Sequence, residues 1–266
     1  MSAIPDLEPL VISAPFGNYV KPRGATPTLG TFTRRARAGR VWRILKTVRY
    51  DPFTRAWVNK IGLRNPGIEA VAARVRAGSL DVSRSVLSIH GFDDAEWFEL
   101  IEIAAAIQPL GIELNMSCPN VGEIDWPPTL FDRAVASGRP VVVKLPPVNY
   151  REMLDQAMAA GVRTFHACNT IPVPAGGVSG KPLKPVAMQC VREVRDRLET
   201  IGGAFAVIGG GGITAPSDID DYARAGATHV AVGCKCFNPV LLVSHGPLRP
   251  LLARAAAMHT DDGATP

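Results

Sequence analysis

The chain has 266 residues, 47% of them hydrophobic and 20% charged, which is enough apolar material for a core and excludes global disorder. Its 29 basic and 24 acidic residues give a net charge of +5, and no basic block interleaved with aromatics appears, so nucleic-acid binding is not expected. The five cysteines are an odd number, with no CxxC pair, in a chain too long for a disulfide-stapled scaffold; they point to a reducing cytoplasm and away from zinc or iron–sulfur centres.

No basic stretch followed by an apolar one opens the sequence, and no run reaches about 18 apolar residues, so a soluble cytoplasmic protein with no membrane partner is expected. Short β-rich runs alternate with amphipathic segments. Strands are predicted at Leu10–Ala14, Trp42–Val48, Val86–His90, Gly111–Ser117, Pro140–Leu145, Thr164–Asn169, Phe205–Gly209 and His229–Gly233. Helices are predicted over Ile68–Ala77, Asp94–Ile107, Thr129–Ala136, Tyr150–Ala160, Pro185–Leu198, Ser217–Ala225 and Pro247–Met258. Several close on a glycine, such as Gly78 and Gly161, where the chain turns left-handed. Val20–Arg40, with Pro22 and Pro27, reads as loop and a short basic stretch. The alternation predicts an α/β fold of parallel eight-stranded (β/α)8 TIM-barrel type, one domain over 1–266, with 1–9 and 259–266 expected to fray. An open doubly wound sheet competes, but no GxGxxG fingerprint follows the first strand.

Barrel active sites form at the C-terminal ends of the strands, and polar residues gather there in the sequence. Lys46 and Thr47 are expected to end the second strand, Asn115 to Asn120 the fourth, Lys144 the fifth, and Asn169 and Thr170 the sixth. A lysine in a barrel mouth is costly unless it meets an anion or a polar cofactor, although snorkelling surface lysines are the plainer alternative. Asn59, Asn115, Asn120 and Asn169 suit a planar ligand, since an amide both donates and accepts, or they are simply turn residues. The turns Gly211-Gly212 and Gly233-Cys234 follow the last two strands, where backbone N–H groups and a helix N-terminus bind phosphate in many barrels. Cys118, in a Ser-Cys-Pro-Asn loop, is a candidate base or nucleophile; His90 and His166 have no triad partners and suit core or supporting roles.

Taken together, Asn115-Met-Ser-Cys-Pro-Asn-Val121, Val143-Lys-Leu-Pro-Pro147, Asn169-Thr-Ile171, Gly176 to Pro185 and Ile208-Gly-Gly-Gly-Gly-Ile213 resemble the dihydroorotate dehydrogenases from about Leu10 to Phe237. The resemblance implies a barrel holding FMN and oxidation of dihydroorotate to orotate in pyrimidine synthesis. It places the phosphate on Gly211, Gly212, Gly233 and Cys234 and the flavin near Ala14, Gly17, Lys46, Thr47, Asn115, Lys144, Cys168 and Gly180. It places the substrate against Lys46, Asn59, Gly62, Leu63, Asn115, Asn120, Asn169 and Thr170. Cys118 falls on the catalytic base of the soluble branch, with Lys144 the second catalytic residue. Hydride passes to flavin N5, and a second substrate must reoxidise the flavin. The family also implies a homodimer and allows an electron-transfer partner subunit. Relative to it, the segment Lys46 to Asn59 and the segment before Gly176 are read as abbreviated lid elements. Other readings are a related flavin oxidoreductase of another dihydropyrimidine or cyclic substrate, and a barrel without catalysis.

Overall fold

Apolar runs flanked by glycine turns close into a barrel in the computed structural model, which describes residues 4–116 and 126–261, with side chains as far as 258. The first strands in chain order are β1 (Leu10–Ile12), β2 (Ala25–Phe32), β3 (Arg49–Asp51), β4 (Ala56–Asn59), β5 (Val86–Ile89) and β6 (Gly111–Asn115). The rest are β7 (Val141–Lys144), β8 (Thr164–Ala167), β9 (Ile171–Val173), β10 (Gly176–Gly180), β11 (Ala206–Gly210) and β12 (His229–Val232). Eight of them form the closed barrel β1-β12-β11-β8-β7-β6-β5-β2, every neighbouring pair parallel. Their apolar residues are covered on both faces, Leu87, Val143, Phe165, Val207 and Val230 being fully buried.

The helices are α1 (Arg40–Thr47), α2 (Ile68–Arg76), α3 (Asp94–Ala106), α4 (Leu130–Ala136), α5 (Arg151–Ala159), α6 (Lys184–Ile201), α7 (Pro216–Arg224) and α8 (Arg249–Asp261). All but the first pack on the barrel. In α3, Trp97, Leu100, Ile101 and Ala104 recur at helical spacing and are buried, so the stripe is the reason that the segment is a helix. Asp93 caps it, accepting from Glu96 N at 2.8 Å, while Glu96 accepts in return from Phe92 N at 3.1 Å. Such a cap contributes about 1 kcal/mol.

One expected strand is a correction. Trp42–Val48 is not in the barrel: it lies almost wholly within α1, and the second barrel strand is β2, which the sequence presents as loop. Proline and glycine hid β2, because Pro27 removes a ladder donor and Gly30 weakens a strand. Both are tolerated for local reasons. Pairing with β5 starts only at Thr28, beyond Pro27, and the register shifts between Leu29 and Phe32. At Gly30 a Cβ would lie 2.4 Å from Ser88 O, so the close approach of β5 demands glycine there. In α1 the apolar residues Val41, Ile44 and Leu45 stand at i, i+3 and i+4, a helical spacing that outweighs their β propensity.

The two segments read as abbreviated lids form one structure. β3, β4, β10 and β9 make a four-stranded antiparallel sheet outside the barrel, β4 pairing β10 from Ala56↔Gly180 to Asn59↔Gly177. Gly176 is required by this pairing, since a Cβ would lie 2.0 Å from Asn59 O. Trp57 of β4 stacks on Phe237 at 4.3 Å, and Phe237 meets Phe16 edge-on at 4.9 Å, so an aromatic ladder ties the sheet to the barrel rim.

Candidate active site

β6, β7 and β8 place their last inward residues side by side, with Asn115 opposite Lys144 and Lys144 opposite His166 in register. All three are buried, as is Glu113 two residues before Asn115 on the same face. Four polar side chains therefore fill a barrel layer that apolar residues usually occupy. Each must be partnered, because an unpaired polar group there costs about 1–3 kcal/mol and an unpaired charge more.

The partners form two connected chains. Asn169 Nδ2 donates to Asn115 Oδ1 at 2.9 Å, and Asn115 Nδ2 donates to Thr31 Oγ1 at 2.8 Å. Thr31 Oγ1 lies 2.9 Å from Ser88 Oγ. His90 Nδ1 donates to the Asn115 carbonyl at 2.8 Å, which fixes its tautomer since a carbonyl can only accept. The second chain is ionic. His166 Nδ1 donates to Glu113 Oε2 at 2.9 Å, while Glu113 Oε1 has no hydrogen-bond partner among the described residues.

Burial alone would push the Glu113 carboxyl up, but the Lys144 charge and the His166 and Ser88 hydrogen bonds outweigh it and hold the group at about 2. His166 is pushed below its ordinary value, chiefly by burial and then by Lys144, so at neutral pH it is an uncharged donor to an ionised Glu113. Burial also lowers His90. Burial raises the Cys168 thiol to about 12 despite Lys144, so it is a neutral, unreactive thiol. The layer thus holds one anion, Glu113, and one cation, Lys144. Room for the His166 ring comes from Gly210, where a Cβ would lie 3.1 Å from Nε2.

A second centre lies at the ends of β11 and β12. Burial raises the Cys234 thiol, against the pull of the backbone N–H groups of Lys235, Cys234 and Gly212, so both glycine turns expected to bind phosphate turn amides toward this corner. Gly180 belongs to the same corner: a Cβ on Gly212, at φ +69°, would lie 2.8 Å from Gly180 O. The helix N-terminus expected to help is already filled. Asp218 accepts from Thr214 N at 2.8 Å and Ala215 N at 3.0 Å, and its other oxygen takes Lys181 and Lys184 at 2.6 Å each. An anion at this corner is therefore left the loop amides.

The expected site residues separate into three groups. Asn115, Lys144, Cys168 and Asn169 come together at the mouth, with Thr170 N bound to Asn169 Oδ1 at 2.8 Å. Ala14 and Gly17 follow β1, with Gly17 packed so closely on β2 that a Cβ would lie 2.3 Å from Thr28 O; Asn59 ends β4, with Gly62 and Leu63 just beyond. Lys46 and Thr47 are corrected: they end α1 rather than a barrel strand. Lys46 is exposed, its Nζ 5.4 Å from the Trp42 ring, and Thr47 Oγ1 accepts from Lys60 N at 3.1 Å. Cys118 and Asn120 lie outside the described residues.

Sequence reasoning missed Thr31, Ser88 and Glu113. Glu113 had a visible signal, a lone carboxylate inside the apolar run Gly111-Ile-Glu-Leu-Asn115. Thr31 had none once β2 was read as loop.

Comparison with known proteins matches the arrangement to one group. A sequence model described as dihydroorotate dehydrogenase matches residues 23–245. The chain is 31% identical over 228 residues to the catalytic subunit of a dihydroorotate dehydrogenase B (NAD(+)) of Oceanobacillus iheyensis, covering 74% of this chain and 72% of that one. It is 33% identical over 213 residues to the subunit of the same name in Latilactobacillus sakei, covering 68% and 67%. Among solved structures, ligand-free DHODH of Eimeria tenella superposes with a TM-score of 0.73 at 19% identity, covering 96% of this chain and 85% of that one, a likeness of fold.

Proposed function

The chain belongs to the dihydroorotate dehydrogenase family, and from that premise we propose that its barrel mouth oxidises dihydroorotate to orotate in pyrimidine biosynthesis, as a flavin-dependent enzyme using FMN. The observation that carries the reading is the amide chain Asn169–Asn115–Thr31 beside buried Lys144. Dihydroorotate is a planar-edged cyclic diamide with a carboxylate, and such a chain offers it donors and acceptors in fixed orientation next to a cation.

FMN fits the residues present. The backbone amides of Gly212, Cys234 and Lys235, which favour negative charge at this corner, suit its phosphate, and Lys144 suits a ring edge that gains negative charge. When bound, FMN supplies the hydride acceptor. The protein's own work is to orient and to manage charge. Asn115 and Asn169 hold each other through one hydrogen bond, so neither amide is free to rotate. The Lys144 charge favours ionised Glu113, and His166 fixes Glu113 by a hydrogen bond. Cys118 is the base that takes the proton from the substrate carbon next to the one that loses hydride, and a thiol's unperturbed value of about 8.5 needs only a modest shift for that task. Asn59, Gly62, Leu63, Asn120 and Thr170 complete the substrate side.

The relatives named above are catalytic subunits, and their names carry NAD(+). By extension this chain works in the cytoplasm as a homodimer that passes electrons to a separate electron-transfer subunit.

Anaerobic addition of dihydroorotate to the flavin-loaded protein tests the reading: the flavin absorbance bleaches. A flavin that binds and stays yellow moves the substrate elsewhere, and a chain that takes up no FMN removes the cofactor. Cys118→Ser is expected to slow bleaching by on the order of a hundredfold while orotate binding stays within a few-fold; unchanged bleaching would take the base role from Cys118.

A further inference from the structure

Helix α1 is mounted inside out. Arg40, Arg43 and Thr47 share one side of the helix and are its half-buried residues. Val41, Trp42 and Leu45 occupy the other side and are 71%, 64% and 69% exposed, and α1 buries no residue at all. A helix of a soluble domain turns its apolar stripe to the core, and this one turns it to solvent. The hairpin that follows repeats the pattern: Phe53, in the turn between β3 and β4, is 97% exposed between Arg49 and Arg55.

Charge is concentrated on the same excursion. Residues 34–64 hold eight arginines and two lysines against one acid, Asp51, a net of +9, whereas the whole chain nets +5 and the remainder is therefore −4. Of these ten cations only Arg34 is ion-paired among the described residues, with Glu99 and Glu69.

We propose that α1 and the β3–β4 turn form an interfacial docking surface for an anionic phospholipid membrane, with Val41, Trp42, Leu45 and Phe53 entering the headgroup layer and the exposed Lys46, Arg49, Arg55 and Lys60 meeting lipid phosphates. The chemistry selects that occupant. A second copy set face to face would bring the exposed Lys46, Arg49, Arg55 and Lys60 against their own copies, which like-charge repulsion opposes. Apolar tips on two convex elements, a helix and a hairpin turn, have the shape of groups that sink into a fluid layer, with basic residues beside them to reach the headgroups. Among the described residues no helix is long and apolar enough to cross a membrane, so the attachment is peripheral and reversible. It goes against the sequence expectation of no membrane partner, which rested on the lack of a spanning segment and not on surface patterning.

Flotation of the FMN-loaded full-length chain with vesicles tests this directly. The protein is expected to float with vesicles of phosphatidylcholine and phosphatidylglycerol at low salt, to be released at high salt, and to stay behind with phosphatidylcholine alone. Trp42 emission shifts to the blue on binding, and Trp42→Tyr loses the shift. Leu45→Ser and Phe53→Ser each lower vesicle partition about tenfold, as expected for an apolar side chain returned to water. Both residues are exposed, so flavin binding and melting temperature are unchanged; if the double variant misfolds, Val41→Ser and the salt series still decide. Absence of flotation with anionic vesicles, equal flotation with neutral ones, or a double variant that floats like the parent would each overturn the proposal. Self-association or capture of an acidic protein that these variants abolish, without flotation, would overturn it as well.

Discussion

Glu113, Lys144 and His166 lie inside the barrel with at most 7% of their surface exposed, whereas Val41, Trp42, Leu45 and Phe53 stand outside it with 64% or more exposed. Each region inverts the ordinary partition of residues between core and surface, and the two differ in what compensates. Inside, every charge has a counter-charge or a hydrogen bond: Lys144 balances Glu113, and Glu113 holds His166. In the excursion, the apolar side chains are exposed, and of the ten cations only Arg34 is ion-paired among the described residues, while Arg37, Arg40, Arg49 and Arg64 donate to backbone carbonyls. The first arrangement is closed on itself and positions a small ligand. The second is open and needs another surface to complete it.

The strongest way to break the closed arrangement is to remove its cation. Lys144→Met leaves Glu113 ionised and buried without its balancing charge, a loss of about 3–5 kcal/mol, and lowers the melting temperature by on the order of 10 °C. Bleaching by dihydroorotate disappears with it. Adding Glu113→Gln to Lys144→Met returns most of the stability and none of the bleaching. A melting curve and a stopped-flow trace on the same preparations separate the two effects, and a double variant as unstable as the single one would show that the pair is not the balancing unit.

Acid sharpens the same point at smaller size. His90 and His166 are both pushed below their ordinary value, so the unfolded chain takes up protons before the folded one as pH falls. Their contribution is complete above about 6.5 and shrinks below it, each by at most about 1.4 kcal/mol per pH unit. Glu113, held down at about 2, follows: its contribution is complete above the unfolded value of about 4.3 and is lost as pH falls toward about 2. Urea midpoints should therefore decline from pH 7 to 5, and His166→Asn should flatten that decline. An unchanged slope in the variant would mean that His166 is protonated inside the barrel.

How much of this was legible in the sequence depended on whether the signal was local. Seven of the eight expected strands lie in the barrel because their runs are apolar and bounded by glycine turns, and Asn115, Lys144 and Asn169 were found because they end such runs. β2 was lost to Pro27, which precedes the pairing with β5, and to Gly30, which the close approach of β5 demands, and no local pattern reveals either. Losing β2 also carried Lys46 and Thr47 into the barrel mouth and left Thr31 unseen. The lid sheet was illegible for a related reason, since β4 and β10 pair across more than a hundred residues of chain.

The smallest expected effect lies where the two regions meet. Trp57 of the lid sheet is half-buried, stacked on Phe237 at 4.3 Å and tilted against Tyr50 at 4.7 Å. Trp57→Ala gives up two aromatic pairs worth about 1 kcal/mol each, and the barrel below is untouched, so the melting temperature changes by about 4–8 °C. If the lid sheet closes over the substrate, the loosened sheet raises KM a few-fold and leaves kcat alone, because Asn115 and Lys144 stand on barrel strands that do not move. If the sheet serves instead to hold α1 at the surface, KM stays constant and vesicle flotation weakens. The same variant thus assigns the lid to the closed region or to the open one.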